Sequence, residues 1–248
     1  SPRVRVLDAF TSADSTTAGN EALKMATGEW IAFLAPDDRL AQHALYLVAE
    51  AAIRDPETAI LYSDEDRIIE SGRCEPRFKP GWDYDLLLSQ NYLGRLAVFR
   101  TDLVRKAGGF RVGFSGDDEW DLALRVIEAG AKPRVCHLPF VLYHARQKPD
   151  IESAAVRGAM ENAARAVNEH LARTRQTASA EPDGKSGHLR VRWALPNEPP
   201  LVSIVIPTKD RHHLLRRCMD GLLYRTFYAP IEIVIVDNGS TEREACDL

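Results

Sequence analysis

Apolar positions along the chain switch between a period near two, a period near 3.6 and short unbroken runs, and the switches divide the sequence into strands and helices. Val4 to Phe10 (VRVLDAF) predicts a first strand, and Ser15 to Gly28 predicts a helix, with Ala18, Ala22 and Met25 on one face and Gly28 as its stop. The apolar run Trp30 to Ala35 has the length of a strand buried on both faces, as in a parallel sheet covered by helices. Leu40, Ala44, Leu47, Val48 and Ala51 then mark a helix that ends at Asp55, because a residue before proline avoids helical geometry. A second buried strand, AILYSDED, starts at Ala59. Strand, helix, strand, helix, strand is the order of an α/β layered domain.

Residues 67 to 90 are irregular and rich in aromatics, and Leu93 to Arg100 predicts another strand. A short helix follows, with Thr101 or Asp102 as its N-cap and Gly108 as its left-handed stop. Leu122, Val126 and Ala129 give a helix closed by Gly130, and Lys132 to Arg146 supplies another short strand and a His-ended segment. Val156, Met160, Ala163, Val167 and Leu171 make Ser153 to Arg173 the clearest amphipathic helix. Residues 174 to 187 read as polar linker, followed by an exposed strand with Leu189, Val191, Trp193 and Leu195 on one side. From Val202 a new βαβ unit begins, with a strand to Ile206, a helix from His213 to Tyr224 and a strand from Glu232 to Val236.

Composition narrows the function classes. The 248 residues are 45% hydrophobic and 27% charged with a net charge of −4, enough apolar material for one large or two small cores. The charges are interspersed, so no basic face argues for nucleic acid and a small ligand is the better expectation. No apolar run approaches the roughly 20 residues of a membrane span, and no export signal opens the chain. Cys74, Cys136, Cys218 and Cys246 show no metal or disulfide spacing, which suits a reducing, cytoplasmic compartment. A start at Ser1 and a stop inside a βαβ unit suggest a piece of a longer protein.

The dinucleotide, P-loop, zinc-protease and serine-hydrolase motifs are all missing. What remains is a set of carboxylates, Asp37, Asp38, Asp64, Glu65, Asp66 and Asp237, each just after a predicted strand, where open α/β sheets bind ligands. Taken alone, Asp37 or Asp38 could equally cap the next helix, and the run Asp117–Glu119 could simply favour the positive end of a helix. His144 after an apolar strand is more often structural than a ligand. Asp64 to Arg67 read as a solvated loop or as donor-pocket lining. Trp82, Tyr84 and Tyr92 could stack on sugar rings or fill a satellite core.

GEWIAFLAPDDRL, LYSDEDRI, FKPGWDYDLLLSQNYLG, VRKAGGFRVGFSGDDEWDLALR, LYHAR and PLVSIVIPTKDR with IEIVIVDNGST together resemble family 2 glycosyltransferases of the GT-A fold. They are most similar to bacterial tandem-domain enzymes of surface polysaccharide synthesis. The resemblance implies a mostly parallel sheet flanked by helices. It implies an inverting transfer of a sugar from a nucleotide-sugar donor to a growing or lipid-linked glycan, assisted by Mn2+ or Mg2+. Asp37 and His144 take the metal positions, and Glu119, with Asp118 beside it, takes that of the catalytic base. Pro207, Thr208, Asp210, Asp237 and Asp38 take nucleotide-sugar contacts. Ala35 stands where the family pattern has a first Asp. The resemblance also implies work in the cytoplasm, at the inner face of the membrane or free of it.

Under this reading residues 1–172 are a transferase domain lacking its first βαβ unit and 173–199 a linker with one strand. Residues 200–248 are the nucleotide-binding βαβ unit of a second domain, or else complete the first. The competing reading is a degenerate, non-catalytic domain that binds acceptor or partner.

Overall fold

The computed structural model describes residues 4–7, 15–114, 116–130, 134–146, 153–184 and 186–246. They divide into two compact units, residues 1–193 and 194–248. The first unit contains helix α1 (Ser15–Met25), strands β1 (Trp30–Ala32) and β2 (Arg39–Leu40), helix α2 (Ala44–Arg54), strands β3 (Thr58–Ile69) and β4 (Gly72–Arg77) and helix α3 (Tyr84–Ser89). Strand β5 (Ala97–Arg100), helices α4 (Thr101–Lys106) and α5 (Asp118–Ala129), strand β6 (Arg134–Arg146), helix α6 (Ser153–Arg173) and strands β7 (Ala178–Pro182) and β8 (Leu189–Trp193) complete it.

The expected α/β class is found, with a mixed sheet in the order β1-β5-β3-β6-β2 and β4 paired to β3. Among the described residues, parallel pairing in this sheet is confined to β3 and β6; β1–β5, β5–β3, β3–β4 and β2–β6 run antiparallel. The period-two alternation of β3 and β5 sorts their side chains to two sides. Ile60, Tyr62, Ala97 and Phe99 join a core closed by Leu122, Val126, Val167 and Leu171 from α5 and α6. Leu61, Leu96 and Val98 join a second core with Ala44 and Val48 of α2 and Leu138, Leu142 and Tyr143 of β6.

Several elements differ from their sequence expectations for visible reasons. Val4 to Leu7 lie outside any strand, and the rest of the expected first strand, residues 8–10, lies outside the described residues. The run Trp30 to Ala35 is a strand over three residues only. It lies at the end of the sheet order with β5 as its neighbour, so Leu34 beyond it is 52% exposed instead of buried. Arg100, and neither Thr101 nor Asp102, occupies the N-cap of α4, because the Thr101 hydroxyl donates to Gly28 O at 2.6 Å.

The irregular stretch 67–90 contains β4 and also α3, whose N-cap Asp83 accepts from Leu86 N at 2.9 Å. The expected linker contains β7, which pairs antiparallel with β8. Asn168 on α6 clamps β7 by bonding both the N–H and the carbonyl of Ala180 at 2.8 Å. That pairing buries Ala180 and Leu189, so polarity of the intervening turn hid a packed hairpin.

The second unit is a parallel pair, β9 (Val202–Thr208) and β10 (Ile231–Asp237), joined through helix α7 (His212–Tyr224) and followed by the short helix α8 (Arg243–Cys246).

Candidate active site

Strand β3 brings three carboxylates, Asp64, Glu65 and Asp66, out of the core still buried at 4%, 8% and 5% exposure. Burial of unpartnered charge is prohibitive, and each has its partners. Asp64 accepts from Lys79 N at 2.9 Å and lies 2.8 Å from His137 Nε2. Glu65 accepts from Lys79 Nζ at 3.0 Å and Arg95 N at 2.9 Å. Asp66 accepts from Arg73 Nε at 2.6 Å and faces His144 Nδ1 at 2.6 Å. The solvated-loop reading of this run is therefore replaced by a strand whose parallel pairing to β6 continues to Arg146.

His144 thus hangs from β6 with its Nδ1 fixed by Asp66, an arrangement that holds the ring orientation and leaves Nε2 as the free lone pair. Arg39 of β2 is its partner across the ladder, so the turn that carries Asp37 and Asp38 runs directly into His144's neighbour. Asp38 is buried and spent on structure: it accepts from Tyr143 Oη at 2.5 Å and Arg146 N at 2.8 Å. Those bonds tie the turn to the end of β6 and leave Asp37 exposed at its tip.

Glu119 occupies the first turn of α5, one residue after Asp118. It lines a cavity of about 190 Å3 together with Phe33, Leu34, Ala35, Arg95 and Tyr143. Burial, helped by the charge of Asp118 and opposed by Arg95, raises the Glu119 carboxyl to about 7. The N-cap residue Asp117 is raised to about 6 by burial and by Asp118. Asp118 is outside the cavity lining and acts on Glu119 by charge. Ala35 presents a methyl group to this cavity where the family pattern has a carboxylate. A larger cavity, about 510 Å3 between Gly28, Trp30, Pro56 and Arg100, contains none of the candidate residues.

Tyr143 connects these parts, because it lines the Glu119 cavity, bonds Asp38 and precedes His144. Asp37, Asp38, Glu119 and His144 therefore belong to one end of the sheet. Among the described residues no group of three or more His, Cys, Asp or Glu side chains is arranged to hold a metal. The aromatic residues resolve toward packing: Tyr92 Oη accepts from Asp83 N at 2.8 Å, and Tyr84 Oη meets His170 Nε2 at 2.7 Å.

In the second unit the carboxyl ends of β9 and β10 lie side by side, with Pro207 opposite Val236 and Thr208 opposite Asp237. Asp210 accepts from Thr241 N at 2.6 Å and Glu242 N at 2.8 Å, so it caps the chain entering α8. Asp237 accepts from Ser240 Oγ at 2.5 Å, closing the Asp-Asn-Gly-Ser turn.

Comparison with known proteins supplies the family. The family model for Glycosyl transferase family 2 matches residues 203–245. The chain is 40% identical over 248 residues to the O-antigen biosynthesis protein RfbC of Myxococcus xanthus. It is residues 203–245, then, that belong to glycosyltransferase family 2. The chain is also 40% identical over 251 residues to an uncharacterised protein, y4gI, of Sinorhizobium fredii. The match to y4gI takes in 99% of the chain but only 28% of that relative's length, and the match to RfbC 98% of the chain but only 19% of that relative's length. Among solved structures, TarS of S. aureus (residues 1–349) aligns with a TM-score of 0.45 at 18% identity, over 66% of this chain and 53% of that one. A mannosyltransferase from Pyrobaculum calidifontis, in complex with GDP-Man and Mn2+, aligns with a TM-score of 0.42 at 22% identity, over 66% and 44%.

Sequence reasoning named Asp37, Asp38, Glu119 and His144 but missed Arg95, Tyr143 and the orienting role of Asp66. The position of Asp66 directly after a strand was a signal for the last; nothing in the stretch around Arg95 distinguishes it from a surface residue.

Proposed function

We propose that the protein is an inverting glycosyltransferase that moves a sugar from a nucleotide-sugar donor to a growing glycan in bacterial surface polysaccharide synthesis. The observation that carries this reading is Glu119, a carboxyl held near neutrality in a cavity beside the acidic turn. An inverting transfer needs one base to take the acceptor hydroxyl's proton as that oxygen attacks the anomeric carbon, and a group with affinity for a proton near pH 7 does this best. Glu119 is that base in this proposal, and Asp118 supports it by raising its basicity.

Asp37 and His144 fit a divalent cation. The exposed Asp37 carboxylate is a hard oxygen donor, and Asp66 leaves His144 Nε2 free. Two protein ligands suit Mn2+ or Mg2+ when substrate phosphates complete the shell. Such an ion stabilises the charge of the departing nucleoside diphosphate. We read residues 200–248 as the nucleotide-contacting βαβ unit of a transferase domain, with Pro207, Thr208 and Asp237 at the ligand end of its strands. Within the first unit Asp38 braces the turn that carries Asp37, and within the second Asp210 braces the chain entering α8. No helix among the described residues is long and apolar enough to cross a membrane. By the family resemblance we place the work in the cytoplasm, at the membrane's inner face or free of it. Ala35 favours a second reading, a non-catalytic acceptor-binding domain.

Calorimetry with UDP-, GDP- and dTDP-sugars, with and without Mn2+, separates the two. The transferase reading expects metal-dependent binding of one donor, weakened about 10- to 100-fold by Asp66→Asn through misorientation of His144. Metal-independent or absent donor binding by the intact protein supports the module.

A further inference from the structure

Arg95 is positioned with unusual care for an exposed residue. Its own N–H donates to Glu65 Oε2 at 2.9 Å. Glu65 is held in turn by Lys79, whose Nζ also donates to the carbonyl of Leu93 at 2.8 Å. The Glu65 and Lys79 side chains are 11% and 7% exposed. Gly94, between Leu93 and Arg95, has φ +67°, and a Cβ there would collide with both Lys79 Nζ and Glu65 Oε2. A buried ion pair is a poor way to gain stability, because desolvation offsets most of the attraction. It does fix a geometry, here the turn that carries one guanidinium into the lining of the Glu119 cavity.

The cavity pairs that cation with a carboxyl, a phenol and the apolar walls of Phe33, Leu34 and Ala35. Its 190 Å3 equals about six water volumes in the liquid, room for one sugar ring or one diphosphate. The fork of an arginine matches carboxylate and phosphate oxygens. We propose that Arg95 binds an anionic oxygen group, phosphate or carboxylate, on the ligand that reacts beside Glu119, and that Glu65, Lys79 and Gly94 are positioning residues for it. The proposal rests on reading this cavity as the reaction site. Two sources share the chemistry: the diphosphate of the donor, or an acidic sugar in the acceptor.

Titration of the protein in metal-free buffer with inorganic pyrophosphate, galacturonate and neutral galactose tests this. Wild type binds at least one of the two anions, and Arg95→Ala weakens that binding about tenfold to a hundredfold. Arg95→Lys, which keeps the charge without the fork, loses less. A loss for pyrophosphate alone assigns the donor; a loss for galacturonate alone assigns the acceptor. Glu65→Gln, checked for folding by its melt, lowers affinity for the same anion and leaves galactose unmoved. The proposal is overturned if neither anion binds, or if Arg95→Ala binds both as wild type does. Sugar transfer is read separately from anion binding: transfer surviving in Glu119→Gln refutes the catalytic reading, while the Arg95 binding result stands on its own.

Discussion

Single side chains decide this site, and the most constrained of them is the one with no side chain. Gly94 combines a left-handed backbone with the closest approach to the Glu65–Lys79 pair. Gly94→Ala is expected to destabilise the fold by about 1–3 kcal/mol in urea unfolding, whereas the same change at Gly81, where a Cβ meets nothing within 4 Å, is expected to cost far less. Glu119 shows how neighbours divide a role. Asp117 starts the helix, Asp118 supplies repulsion, and Glu119 reaches the cavity beside the Ala35 methyl. A carboxylate at position 35 would stand in the same cavity as Glu119 and add to that repulsion.

At the scale of elements, the parallel pair β3–β6 builds the site, since it carries Asp64, Glu65 and Asp66 on one strand and Tyr143 and His144 on the other. Helix α5 is anchored under Glu119 by Asp121, fully buried, which accepts from Arg125 Nε at 2.9 Å and from both Nε and Nη2 of Arg111. Asp121→Ala leaves Arg125, only 7% exposed, buried without its counter-charge, and is expected to cost about 3–5 kcal/mol in denaturant unfolding.

Elements with strong periodicity were legible from sequence: α6 runs over Ser153–Arg173 as its apolar spacing predicts, and α7 starts one residue early. Elements held by partners far along the chain were not. β7 depends on Asn168 and β8, and α3 on one Asp83 cap, and neither shows in a local apolar pattern. The fate of Trp30 to Ala35 was likewise hidden, because an apolar run does not reveal how many neighbours its strand has.

At the scale of the whole molecule, the two units differ in how much apolar surface they cover. In the second unit Val205 is 60% exposed, Val236 47% and Phe227 104%, and Leu215 is its buried apolar residue in α7. Two strands and a helix that cover so little apolar surface have low stability of their own. Amides of β9 and β10 are therefore expected to exchange with deuterium well before those of β3 and β6, and equal protection would contradict this account. The candidate residues were legible in sequence through the order of the motifs. Their connection through Tyr143, Asp66 and Arg95 was not, because it depends on pairings made across the sheet.

The central claim is that Glu119 takes the acceptor's proton, and the pH dependence of sugar transfer tests it most directly. The base works ionised, so with a carboxyl raised to about 7, kcat/KM should rise with pH through an apparent pKa near that value and level off above it. Glu119→Gln should lower transfer by about 10²- to 10⁴-fold and abolish the acid limb. A Glu119→Gln protein that transfers sugar within a few fold of wild type, with the same pH profile, would contradict the account.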